Sequence, residues 1–246
     1  MEEHPGTWLN ALERVLPPQV QEYVTINVLT AWLVLAVLVV LVRVGTRRME
    51  LRPTSRLQVM WEWAVEAFAG FCRMMIGPDG EKYMPFLGTL FMYILLLNLL
   101  GIIPGFVSPT ASLTMTGALG LTAFVYVQIC GFRAQGIKYL MHFVGEPLWL
   151  APLNVPIHVI GELARPLSLS IRLFGNIFGE DVVIAQLLAM SAAMLPFIHL
   201  PIPLHFPMVL FHIFVSFVQA LVFMMLTGAY IAGAVAHEGG EHEGSH

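Results

Sequence analysis

The sequence predicts an all-α, polytopic helical membrane protein with five membrane crossings and one amphipathic interfacial helix, and three observations carry that prediction. Of its 246 residues, 57% are hydrophobic and only 11% are charged, against about 25% charge in an average soluble domain. The apolar residues come in runs of roughly 20, the length that spans a hydrocarbon core. The alternating segments of roughly ten residues that a transmembrane barrel requires do not appear.

The elements follow in chain order. Residues 1–25 are polar and broken by Pro17 and Pro18, so they are expected to form an extracytoplasmic lead. Glu2 and Glu3 stand where a signal peptide would be basic, and the next apolar run is too long for a cleaved segment. That run, 26–44, is the first span, and Arg43, Arg47, Arg48, Arg52 and Arg56 set a basic stop behind it. Residues 55–77, SRLQVMWEWAVEAFAGFCRMMIG, mix Trp61, Trp63, Phe68 and Phe71 with Glu62, Glu66 and Arg73. This pattern suits a helix lying in the interface. The second span, 84–103, stops at Pro104-Gly105, and a short turn leads to the third at 113–132. Two longer stretches, 151–194 and 207–236, flank the proline-rich PFIHLPIPLHFP and are expected to form a long, tilted, membrane-embedded hairpin. The first of them is twice the length of one crossing, with a kink expected at Pro166. Residues 26–236 thus read as one integral-membrane domain, and 237–246 as a flexible cytoplasmic tail.

Basic residues set the orientation. Arg43, Arg47, Arg48, Arg52, Arg56, Arg73 and Lys82 lie on one side, joined by Arg133 and Lys138 from the next loop. The turns at 104–112 and 195–207 contain no Lys or Arg. Five crossings then put the N-terminus outside and the C-terminus in the cytoplasm. The net charge of −4 selects no partner class. Cys72 and Cys130 lie far apart in apolar surroundings and read as free buried thiols. No zinc-ligand spacing occurs, and no metal or cofactor is expected.

Polar side chains inside a membrane are costly and mark function by default. The 151–194 stretch holds His158, Glu162, Arg165, Ser168, Ser170, Arg172, Asn176, Glu180 and Asp181. Arg172 stands out, because an arginine at the bilayer centre costs from roughly 3 to over 10 kcal/mol and cannot escape by deprotonating. The bland alternative is a structural arginine paired within its own bundle or snorkelling to the interface. On a helical wheel Asn176 shares the Arg172 face, while Asp181 falls about 180° away and roughly 13 Å further along. His158 lies about 20 Å toward the cytoplasmic end, some 40° off that face. In the last helix His212, Ser216 and Gln219 recur at i, i+4 and i+7 as one polar stripe. Arg165 reads equally as a snorkelling side chain. His199 and His205 in the outer turn, and His237, His242 and His246 in the tail, read as surface histidines.

ELARPLSLSIRLFGNIFGED (Glu162–Asp181) resembles the signature of subunit a of F-type ATP synthases. FHIFVSFVQALVFMMLTGAYI (Phe211–Ile231) resembles that family's last helix, and NLLGIIPG (Asn98–Gly105) and PTASL (Pro109–Leu113) its first hairpin. The resemblance implies a non-catalytic channel subunit of a bacterial inner membrane. Its partners would be the rotating c-subunit ring, the b subunits of the peripheral stalk and the rest of the complex. It implies protons as the transported ion, with sodium as the alternative, and no nucleic acid. Arg172 matches the family's arginine between two offset half-channels, and Asn176 and Gln219 match polar positions beside it. Asp181 and His212 match the outer half-channel, where Glu, Asp and His interchange; Glu180 ranks behind Asp181, and Ser216 shares the stripe. His158 stands where many relatives carry Glu, which leaves it or Glu162 as the exit group. Against this reading stand a secondary ion-coupled transporter using Arg172, which should show internal repeats, and an intramembrane enzyme. No repeat relates the two halves, and no G-x-S-x-G, H-E-x-x-H or catalytic aspartate pair is present.

Overall fold

The computed structural model describes residues 26–47, 55–103, 108–136, 139, 151–198 and 206–235. The expected lead, the tail and the outer-turn histidines His199 and His205 fall outside those residues, as do Arg48, Arg52 and Lys138. Six α-helices are described: α1 Ile26–Thr46, α2 Arg56–Ile76, α3 Met84–Leu100, α4 Leu113–Gln135, α5 Ala151–Ile198 and α6 Phe206–Val235. Short 3₁₀ turns, Pro78–Tyr83 and Pro109–Ala111, precede α3 and α4. Among the described residues five stretches are long and apolar enough to cross a membrane: Asn27–Thr46 in α1, Pro78–Leu100 from the 3₁₀ turn through α3, Leu113–Gln135 in α4, Pro152–Ser191 in α5 and Phe206–Val235 in α6. The fold class is therefore the one the sequence predicts. α2 is the amphipathic helix.

Local chemistry sets the helix ends. Ser55 caps α2 by accepting from the Gln58 N–H at 3.1 Å, which satisfies an orphan donor of the first turn. Gly77, at φ 113°, closes that helix with its N–H on the Arg73 carbonyl at 3.0 Å. The chain then doubles back: Arg73 pairs with Glu81 at 3.0 Å, and a Cβ at Gly80 would collide with the Cys72 carbonyl. Both cysteines are buried and free. α3 stops at Leu100, three residues short of the expected end, because the N–H groups of Gly101, Ile102 and Ile103 tighten onto the carbonyls of Asn98, Leu99 and Leu100. α4 runs three residues beyond its expected end, to a left-handed Gly136 (φ 58°) whose N–H returns to Phe132 at 2.9 Å. The helix assignment of α5 passes through Pro166 without a break.

Contacts divide the chain into two compact units. The first holds α1 with the described residues of Leu90–Thr116 and Arg172–Leu221. Its core includes Ile94, Leu97, Leu173, Ile177 and Ala220. The second holds α2 with the described residues of Arg52–Thr89 and Gly117–Ile171 and the end of α6 from Val222. Leu87, Ala123, Val127, Leu169, Phe223 and Ile231 are buried there. Large apolar side chains such as Trp32, Leu167 and Phe214 point outward, as lipid-facing residues do.

Candidate functional site

In the first unit α5 has two contrasting faces. Leu173, Ile177 and Glu180 are buried and recur at i, i+4 and i+7, one helical stripe. Arg172, Gly175, Asn176 and Gly179 are exposed. Arg172 forms no ion pair or hydrogen bond with a described residue, and Gly175 and Gly179 have open space where a Cβ would stand. The Asn176 amide donates to Gln219 Oε1 at 2.8 Å. Both residues expected to orient Arg172 therefore bond to each other, and tie α5 to α6 one turn beyond the arginine. A fixed cation is left facing outward beside two glycines.

The titratable groups of this unit meet inside it. His212 is 1% exposed and Glu180 7%, and His212 Nδ1 approaches Glu180 Oε2 to 2.9 Å. Neither atom completes an aligned hydrogen bond, so the contact is an ion-pair approach that one shared proton can serve. On the other side of the ring, Nε2 lies 3.2 Å from the Asn98 carbonyl, in the last turn of α3. That carbonyl also accepts the Gly101 N–H at 3.2 Å, and its second lone pair can take a side-chain donor. The Asn98 side chain is held in turn: Thr110 Oγ1 donates to its Oδ1 at 2.8 Å, and Ser108 Oγ lies 2.7 Å from Thr110 Oγ1. Asn98 Nδ2, Ser216 Oγ and Gln219 Nε2 are buried without hydrogen-bond partners among the described residues. Asp181, one residue past Glu180 and about 100° round the helix, is only half-buried.

The second unit carries its own polar cluster. Arg165 Nη1 lies 2.5 Å from Glu162 Oε1, and its guanidinium sits 5.0 Å from the centre of the Tyr230 ring on α6. Arg165 is thus paired within the chain. The Gln128 amide donates to Glu162 Oε2 at 3.1 Å, and the Tyr139 hydroxyl donates to Gln128 Oε1 at 2.8 Å. Burial, and then the Glu162 charge, push the Tyr139 phenol above its ordinary value, which keeps it a neutral donor. His158, one turn before Glu162, is exposed.

Of the expected residues, the structure joins Asn176 to Gln219 and His212 to Glu180, with Ser216 buried on the same α6 stripe. It pairs Glu162 with Arg165, and His212 pairs with Glu180 rather than with Asp181. Sequence reasoning missed Asn98, Ser108 and Thr110 around the histidine, and Gln128 and Tyr139 around Glu162. A wheel of α5 centred on the Leu173–Ile177 core, rather than on Arg172, points to Glu180. Nothing in the sequence signals Tyr139, which lies outside any periodic segment.

Comparison with known proteins adds a family match and three relatives. The family description ATP synthase A chain matches residues 28–232. ATP synthase subunit a 2 of Syntrophotalea carbinolica is 43% identical over 209 residues, 85% of each chain. ATP synthase subunit a of Desulfosudis oleivorans is 37% identical over 235 residues, covering 96% of this chain and 99% of its own, and that of Geobacter sulfurreducens is 36% identical over 233.

Proposed function

This chain belongs to the ATP synthase A chain family, and on that premise we propose that it carries protons as the stator subunit of the membrane sector, working against a rotating ring of c subunits. The observation that carries this reading is the exposed Arg172, which pairs with no described residue, beside the open Gly175 and Gly179. Small residues let a neighbouring membrane helix come close, and a carboxylic acid on that helix would meet a permanent cation. At about 4 Å and an effective dielectric of 20, the attraction is worth around 4 kcal/mol, enough to shift a carboxyl group by roughly three pKa units. The arriving acid therefore gives up its proton. Because arginine does not deprotonate, the same charge blocks a direct leak.

The remaining groups divide by unit. Glu180 and His212, with Asp181 nearby, load protons on the outer side. The unpartnered buried atoms of Asn98, Ser216 and Gln219 support a hydrated route there, since buried polar groups are satisfied by ordered water when protein offers nothing. Asn176 and Gln219 brace the two helices beside Arg172. Glu162 and His158 belong to the cytoplasmic side, the side of Arg43, Arg73 and Arg133 by the positive-inside rule. The chain makes no covalent chemistry itself, sits in a bacterial inner membrane and assembles with the b subunits of the peripheral stalk. Each elementary charge crossing 100 mV supplies about 2.3 kcal/mol to rotation.

Arg172→Lys tests the reading in inverted membrane vesicles. The complex should assemble, as judged by subunit immunoblot, and hydrolyse ATP, yet neither acidify the vesicles nor synthesise ATP. Normal synthesis in that variant would overturn it.

A further inference from the structure

The second unit contains two adjoining cavities that share a wall. The smaller, about 10 Å³, is lined by Gly120, Ala123 and Val127 of α4, Leu169 of α5 and Thr227 of α6. The larger, about 100 Å³, is lined by Gln135 and Tyr139 and by Ala229, Gly233 and Ala234 at the end of α6. Glu162, Arg165 and Tyr230 line both. The first is at the threshold for one water molecule and the second holds several. Small residues on α6, Ala229, Gly233 and Ala234, line the larger space, and a Cβ at Gly233 would meet nothing within 4 Å. A Cβ at Gly131 would strike the Tyr139 ring, so glycine there is what seats the tyrosine against α4 beside the chamber.

Resting on the subunit reading above, we propose that Glu162 relays protons between these two chambers, and that Arg165, Gln128 and Tyr139 are positioning residues that hold its carboxylate at their junction. Both carboxylate oxygens are engaged, Oε1 by Arg165 and Oε2 by Gln128, and Tyr139 fixes Gln128 in the orientation that donates. A proton arriving from the small chamber adds to a Glu162 oxygen. It leaves to a water molecule in the larger chamber, and the carboxylate is restored beside an unchanged Arg165. Among the described residues, the charged and titratable groups around Glu162 are Arg165 on its own helix, Tyr139 after α4 and Tyr230 on α6, with His158 one turn earlier. Tyr139 is held as a neutral donor, so the carboxylate is the group that cycles.

The test uses membrane vesicles containing the whole complex, stripped of its soluble part, with proton conductance measured while pH is varied on each side separately. Conductance is normalised to assembled subunit by immunoblot. Glu162→Gln should lower it at least about tenfold, the scale of a lost proton-transfer group, and flatten the dependence on cytoplasmic pH alone. Tyr139→Phe, which removes only a hydroxyl group, should lower conductance less and move the midpoint of the cytoplasmic profile, leaving the other side's profile in place. It decides the matter if Glu162→Gln does not assemble. Parental conductance and unchanged profiles in Tyr139→Phe and in any assembled Glu162→Gln overturn the relay, as does a change confined to the outer profile. Arg172→Ala separates the two claims: if it abolishes coupling while the Glu162 and Tyr139 variants behave as parent, the relay falls and the subunit reading stands.

Discussion

The neighbouring carboxylates Glu180 and Asp181 differ in everything but sequence position. Glu180 lies in the buried stripe of α5 against His212 at 2.9 Å, whereas Asp181 is turned partly out of it. Glu180→Gln should therefore slow ATP-driven acidification of inverted vesicles about tenfold or more, and Asp181→Asn should slow it much less. The reverse ranking would return the proton-loading role to Asp181. A second residue-scale expectation concerns Thr110, whose hydroxyl satisfies the buried Asn98 Oδ1. Thr110→Val leaves that acceptor without a donor, a loss of about 1–3 kcal/mol that a lower melting temperature of the purified complex would register. Thr110→Ser keeps the hydroxyl and should melt near the parent.

Glycines along the helices separate closed faces from open ones. A side chain at Gly120 of α4 would run into Ser170 Oγ and the Pro166 carbonyl of α5; Ser170 itself bonds that carbonyl at 2.7 Å. Gly120→Leu should cost about 1–3 kcal/mol of overpacking, seen as reduced thermal stability and lower membrane content. At Gly175 of α5 nothing stands within reach of a Cβ. Gly175→Leu should leave insertion and the stability of the isolated subunit intact, yet impair coupling, because the bulk meets only a partner chain. Equal insertion defects in both variants would show that the Gly175 face is packed within this chain. These helices were largely legible from sequence, since apolar length and flanking charge set where each begins. Their last turns were not: the end of α4 waits for Gly136 in a left-handed conformation, and α3 unwinds early through local hydrogen bonds.

For the whole molecule, we propose from the placement of Lys and Arg that the five spans leave the C-terminus in the cytoplasm. With Cys72 and Cys130 replaced by serine, a single cysteine at Ser245 should react with a membrane-impermeant maleimide in inverted vesicles and stay protected in intact cells. Labelling in intact cells would reverse the topology and exchange the sides given to the Glu180–His212 and Glu162 clusters. The two compact units each enclose one of those clusters, so each group of polar residues is stabilised by its own surroundings.

Membrane class, five apolar spans, the amphipathic α2 and the outstanding cost of Arg172 all follow from the chain as written. They depend on properties that add along it: hydropathy, length, charge and helical period. The partner of each buried polar group does not follow from those sums. It depends on which side chain a neighbouring helix offers at a given height and angle, and about 100° between successive residues suffices to exchange one carboxylate for the next. Packing therefore set Glu180 rather than Asp181 against His212, turned Arg165 back onto Glu162, and brought Tyr139 from beyond α4 to Gln128.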